Sequence, residues 1–128
     1  MERVTGIGGV FFKANDPARL RAWYRENLGI EGEDWGAIFR WQDDPRAATG
    51  GTVWAPFPRD TTYFAPSQAP LMINFRVKDL DAMLAQLRRL GATVDEKVMV
   101  ETNGRFGWAM DPEGNRFELW EPGDIPEA

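Results

Sequence analysis

The chain has no cysteine and no histidine among its 128 residues. The absence of cysteine removes thiol nucleophiles, thiolate metal sites and disulfide frameworks together, and suits a reducing cytoplasm. The absence of histidine removes the usual acid/base of neutral pH and the commonest ligand for zinc, iron and nickel. Chemistry here would have to run on carboxylates, lysine, tyrosine, hydroxyls or backbone. Positive charge is in the minority: 15 Lys and Arg against 20 Asp and Glu leave a formal net charge of −5. That balance argues against nucleic acid and membrane as partners, since both favour a basic surface, and is compatible with a cationic ligand. No apolar run approaches the length of a membrane span, and residues 1–6 carry no signal-peptide pattern, so a cytoplasmic location is expected.

Aromatic residues, by contrast, are plentiful. Six Trp and eight Phe exceed what the core of one domain of this length usually takes up, and some are expected to line a concave surface. The length suits one domain able to bury a core without disulfides or a structural metal.

The stretch Asp111-Pro112-Glu113-Gly114-Asn115 reads as a tight turn, because Pro112 pre-sets φ and Gly114 accepts the positive φ that closes it. A strand follows. Its alternation turns Phe117 and Leu119 to one face and Arg116, Glu118 and Trp120 to the other. Ahead of it the chain runs twice through one order. Residues 6–14 read as a strand. Asp16 and Pro17 then start a helix whose stripe of Leu20, Trp23, Tyr24 and Leu28 ends at Gly29, and short β-type runs follow at 35–41, 51–57 and 61–64. In the second pass Leu71 to Val77 is a strand, and Asp79 opens a helix over Leu80 to Leu90 that ends at Gly91. Strands are expected at 94–100, 106–110 and 115–120. The copies are offset by about 62 residues, a weak internal repeat, with residues 65–70 as linker.

These residues resemble the vicinal oxygen chelate superfamily, which includes glyoxalase I, extradiol dioxygenases and bleomycin-resistance proteins. The resemblance rests on Val10 to Asp16 leading into Trp23 to Gly29, on Phe75 to Asp81 leading into Leu87 to Gly91, and on Asp111 to Leu119. It implies an α+β fold of two tandem βαβββ modules, about 5–66 and about 70–122, within a single domain spanning 1–128. The strands form a cupped mixed sheet with the helices outside. Val10, Phe12, Ile73, Phe75, Phe117 and Leu119 would pack under the helices, and Gly9, Phe11, Met72, Asn74, Arg116, Glu118 and Trp120 would face the cup. Members with a metal take one ligand from the first and last strand of each module; those positions fall on Gly9, Thr62, Met72 and Glu118. Only Glu118 among them suits a hard or borderline divalent cation, so no metal and no cofactor is expected.

Glu118 is either the working group of the cup or a structural carboxylate held by Arg76 or Arg116 across the sheet. As a working group it would act as a base. Asn74 would orient a ligand carbonyl or amide, or satisfy a neighbouring strand. Trp41, Trp54, Trp108 and Trp120 would form a stacking platform for a flat ligand, or be core. The family resemblance favours a metal-independent small-molecule binding protein of the bleomycin-resistance type: a homodimer holding an aromatic or cationic ligand through Asn74, Trp54, Trp108, Trp120 and Phe11. A lyase, isomerase or dioxygenase using Glu118 as base or residual metal ligand is the alternative, and a module whose cup is filled by its own Trp and Phe is a third.

Overall fold

The computed structural model describes residues 2, 3, 7 and 9–123. Two helices pack on one face of a five-stranded mixed sheet. Helix α1, Pro17–Leu28, begins as its sequence dictates. The Asp16 carboxylate accepts from the Arg19 amide at 3.1 Å, Pro17 occupies the first turn, and Gly29 closes the helix at φ 69°, a left-handed conformation that a side chain would strain. Strand β1, Ile73–Arg76, leads into helix α2, Leu80–Arg89, capped by Asp79 onto the Ala82 amide at 3.0 Å. Strands β2 (Thr93–Val94), β3 (Met99–Glu101), β4 (Gly104–Met110) and β5 (Arg116–Pro122) complete the sheet. Its order is β1-β5-β4-β2, with β3 also on β4. The β1–β5 pair is parallel, and the β4 pairings are antiparallel.

The main core lies between the helices and the sheet. Leu20 and Tyr24 of α1, and Leu80, Leu84 and Leu87 of α2, close over Phe117 and Leu119 of β5, with Phe75 packed alongside. Phe117 and Leu119 thus lie under the helices, as their alternation requires. The opposite face carries a second cluster, Phe106, Trp108 and Trp120, packed by Tyr63, Met72 and Met99.

The turn joining β4 to β5 binds the halves of the chain together. Asp111 accepts from the Glu113 and Asn115 amides at 2.8 and 3.0 Å, and Gly114 turns the chain at φ 81°. From this turn the Glu113 carboxylate accepts from the backbone N–H of Asn15 at 2.6 Å and of Asp16 at 3.1 Å. Glu121 of β5 does the same for the start of α2, accepting from the Leu80 amide at 3.0 Å. Each carboxylate meets the donor-rich end of a helix, where negative charge is stabilising.

The first half departs from its expected pattern. The described residues between 9 and 14 form no strand, and residues 4–6 and 8 lie outside the described residues. The expected strands at 35–41, 51–57 and 61–64 are not formed. In their place are an isolated bridge between Glu33 and Gly36, a short 3-10 turn at Trp41–Asp43, and turns. A strand persists only where a neighbour takes its backbone groups and a layer takes its apolar face. Here Asp43-Asp44-Pro45, Gly50-Gly51 and Pro58 interrupt the runs, and Val10, Phe12, Ile38, Phe39, Val53 and Trp54 remain exposed. Val10 and Phe12 are therefore not packed under the helices as expected.

Candidate functional site

Strand register builds the site. Glu118 of β5 is the partner of Asn74 in parallel β1 and of Trp108 in antiparallel β4, so the three residues form one row across three strands. Their side chains meet. The Asn74 amide donates to Glu118 Oε1 at 2.7 Å, and the Trp108 indole N–H donates to Glu118 Oε2 at 2.8 Å. A third donor arrives from outside the sheet, the Tyr63 hydroxyl, 2.5 Å from Oε2. Glu118 is only 8% exposed and Trp108 2%. A buried carboxylate needs its lone pairs filled, and three donors fill them here.

Neither arginine expected beside Glu118 pairs with it. Arg76 reaches away to the acidic loop, with Nη2 2.6 Å and Nε 2.7 Å from Asp44 Oδ2, and also donates to the Gly51 carbonyl at 2.9 Å. Burial opposes ionisation of Asp44, but the Arg46 amide and the Arg76 guanidinium outweigh it and hold the carboxyl below its usual range. Arg116 lies 3.3 Å from Asp95 and sets its guanidinium over the Trp108 ring, 5.1 Å from the centroid. Among the described residues Glu118 has no salt bridge. The three side-chain donors that meet it are all neutral groups.

Tyr63 was missed in the sequence, although Thr62, beside it, falls at a family ligand position. Its ring stands edge-on to Trp108 at 6.1 Å and packs on Phe57 at 5.4 Å. Burial, then the hydrogen bond to Glu118 and its charge, raise the Tyr63 phenol far above its usual range, so it stays a proton donor at neutral pH.

Trp120 lies in the same cluster, stacked on Phe106 at 6.0 Å, and donates its indole N–H to the Asn103 carbonyl at 2.9 Å. Trp54, 78% exposed, is elsewhere: with Phe39, Trp41, Asp43, Asp44 and Arg76 it lines an open cleft of about 1360 Å³. Phe11, 95% exposed, lines neither.

The donor set around Glu118 does not fit a divalent cation. Gly9 offers no side chain, Thr62 is exposed and Met72 is packed in the aromatic cluster. Both Glu118 oxygens face hydrogens, which a cation would have to displace. Among the described residues no group of three His, Cys, Asp or Glu side chains could hold a metal.

Comparison with known families adds a match over residues 9–120 to the model of the glyoxalase-like domain. The chain belongs to this glyoxalase-like family. Solved structures from Agrobacterium tumefaciens share the fold at full length. A lactoylglutathione lyase is 19% identical over 94% of this chain and 96% of its own, at a TM-score of 0.54. A protein of unknown function from strain C58 is 18% identical over 91% and 98%, also at 0.54. TnmS3, an antibiotic-binding protein from Streptomyces sp. CB03234, is 33% identical, but the alignment covers 40% of this glyoxalase-like chain and 41% of TnmS3, with a TM-score of 0.37. A comparison with curated proteins finds no match. Among the described residues no helix is long and apolar enough to cross a membrane.

Proposed function

We propose that this glyoxalase-like protein is a metal-independent small-molecule binding protein of the bleomycin-resistance type, which takes an aromatic or cationic ligand at the cup face around Glu118. The observation that carries this reading is Glu118 itself: a buried carboxylate, aligned with Asn74 and Trp108 by strand register and neutralised by no arginine or lysine among the described residues. Burying an anion without a counter-charge is costly, so a cation or a strong hydrogen-bond donor placed there is attracted. Trp108 and Trp120 supply the aromatic floor, and Asn74 a polar group beside the carboxylate.

The lyase, isomerase or dioxygenase alternative needs Glu118 as base or metal ligand. Among the described residues, the side-chain hydrogen bonds of Glu118 are instead ones that its carboxylate accepts from Tyr63, Asn74 and Trp108.

Two further features belong to this reading. The chain would comprise two tandem modules in one domain, about 5–66 and about 70–122, of which the second alone forms its strands among the described residues, and it would work as a cytoplasmic homodimer. Pairing of two chains would cover the apolar side chains that stand exposed between Ile7 and Phe57.

Titration of intrinsic fluorescence with a panel of flat aromatic cations tests the function. Binding that weakens in Glu118→Gln and Trp120→Ala supports it. Binding that is unchanged in both variants places the site elsewhere.

A further inference from the structure

Residues 52–72 join no strand of the sheet, and Tyr63 and Met72 among them pack on the aromatic cluster of the cup face. Their backbone hydrogen bonds stay within the segment, from the Thr61 amide to the Pro58 carbonyl, Ala65 to Thr62 and Ser67 to Phe64. Their side-chain hydrogen bonds are equally local, Tyr63 N–H to Thr61 Oγ1 and Ala69 N–H to Ser67 Oγ, with a single exception. That exception is the Tyr63 hydroxyl on Glu118. Among the described residues no other hydrogen bond ties this segment to the rest of the chain. The segment is thus a flap, and its one polar anchor is a phenol inserted into the candidate site.

The surroundings of that phenol are those of a bound aromatic ligand. The ring lies edge-on to Trp108 and against Phe57, and its hydroxyl meets a carboxylate oxygen already held in place by an indole N–H. Satisfied buried acceptors of this kind discriminate strongly against a ring that lacks the donor, because its arrival would leave the acceptor empty. We propose that Tyr63 is a built-in plug of the Glu118 site, and that the native ligand displaces it with an aromatic ring bearing a hydroxyl or N–H donor. This rests on the binding reading above and narrows it: a phenol, an aniline or an aromatic ammonium ion qualifies, a ring without a donor does not. It also makes binding a competition. The apparent affinity is reduced by the fraction of molecules in which the flap is closed.

Calorimetric titration of Tyr63→Ala with phenol, the group which that truncation removes, tests the plug. Phenol should bind at least about tenfold more tightly than benzene, and the preference should shrink when Glu118→Gln is added. Equal binding of the two rings, or binding of neither, overturns the proposal. Tyr63→Phe provides a test that keeps the ring. It removes only the anchor, so amide hydrogen exchange over residues 52–72 should accelerate while β4 and β5 keep their protection. Unchanged exchange in the flap overturns the proposal. The two readings fail separately. If the wild-type protein binds an aromatic cation with an affinity indifferent to Tyr63→Phe, the plug is wrong and the binding function stands. If Tyr63→Ala selects phenol but the wild-type protein takes no ligand from the panel, the plug stands and the binding function falls.

Discussion

The Tyr24 hydroxyl donates to Asp111 Oδ2 at 2.9 Å in the buried interior, joining the first helix to the turn that precedes the last strand. Asp111 also holds the Asn115 side chain at 2.8 Å. Tyr24→Phe removes one donor and should lower unfolding free energy by about 1–3 kcal/mol. Asp111→Ala, which empties the turn of its acceptor as well, should cost more. Urea denaturation of the two variants measures both, and a Tyr24→Phe protein as stable as wild type would show the link to be idle.

Alkaline pH should unfold the protein through its two tyrosines. The folded Tyr24 and Tyr63 phenols both ionise well above their usual value of 10.0, chiefly because of burial, and the carboxylates of Asp111 and Glu118 add to it. The unfolded chain releases these protons first, so the folded state binds more protons above pH 10. The tyrosine contribution to stability is complete below that pH and declines as pH rises past it. Thermal melts from pH 8 to 11 should show the decline, less steeply in Tyr24→Phe.

Replacing Glu118 by Ala leaves the buried Trp108 indole and the Tyr63 hydroxyl without their acceptor. A loss of about 1–3 kcal/mol is expected for an emptied buried partner, together with a shift in tryptophan emission. Glu118→Gln keeps an acceptor oxygen and should cost less. Equal stability of the Ala variant and wild type would mean that water serves the row as well as the carboxylate does.

Divalent metal should be irrelevant to both stability and binding. Manganese, nickel or zinc added at several times the protein concentration should leave the melting temperature unchanged, as should a chelator. A rise on adding any one of them, abolished by Glu118→Gln, would contradict the donor chemistry of the site.

Light scattering should find a dimer at about 10 µM, the range of ordinary weak association. Trp41→Asp should shift the balance toward monomer, because Trp41 is 86% exposed in the single chain. A wild-type monomer at that concentration would leave the apolar first half without its proposed cover.

The second half was legible because local signals agree there. Asp79 caps α2, Gly91 follows it with a positive φ, and Phe117 and Leu119 alternate with Glu118 and Trp120. That alternation placed Glu118, Asn74 and Trp120 on one face correctly. It could not show which donors would reach Glu118, because Arg76 chose Asp44 from a loop about thirty residues away, and chain periodicity says nothing about such a distance. Tyr63 was illegible for a related reason. Its segment pairs with no strand, so nothing in its pattern fixes where it lies. The β-type composition of residues 35–64 was real but insufficient, since β propensity reflects fit to a neighbouring pleated surface and those residues have none among the described residues.

The glutamates that hold the helix starts set an order of events during synthesis. Glu113 and Glu121 both lie in or after the β4–β5 turn, yet they hold backbone N–H groups as far back as Asn15 and Leu80. Among the described residues β1, too, is paired only with β5. A nascent chain stopped short of residue 104 therefore carries two helices with no sheet to lie on and a flap with no floor. Its Trp and Phe side chains are open to chaperones and proteases until the final hairpin leaves the ribosome.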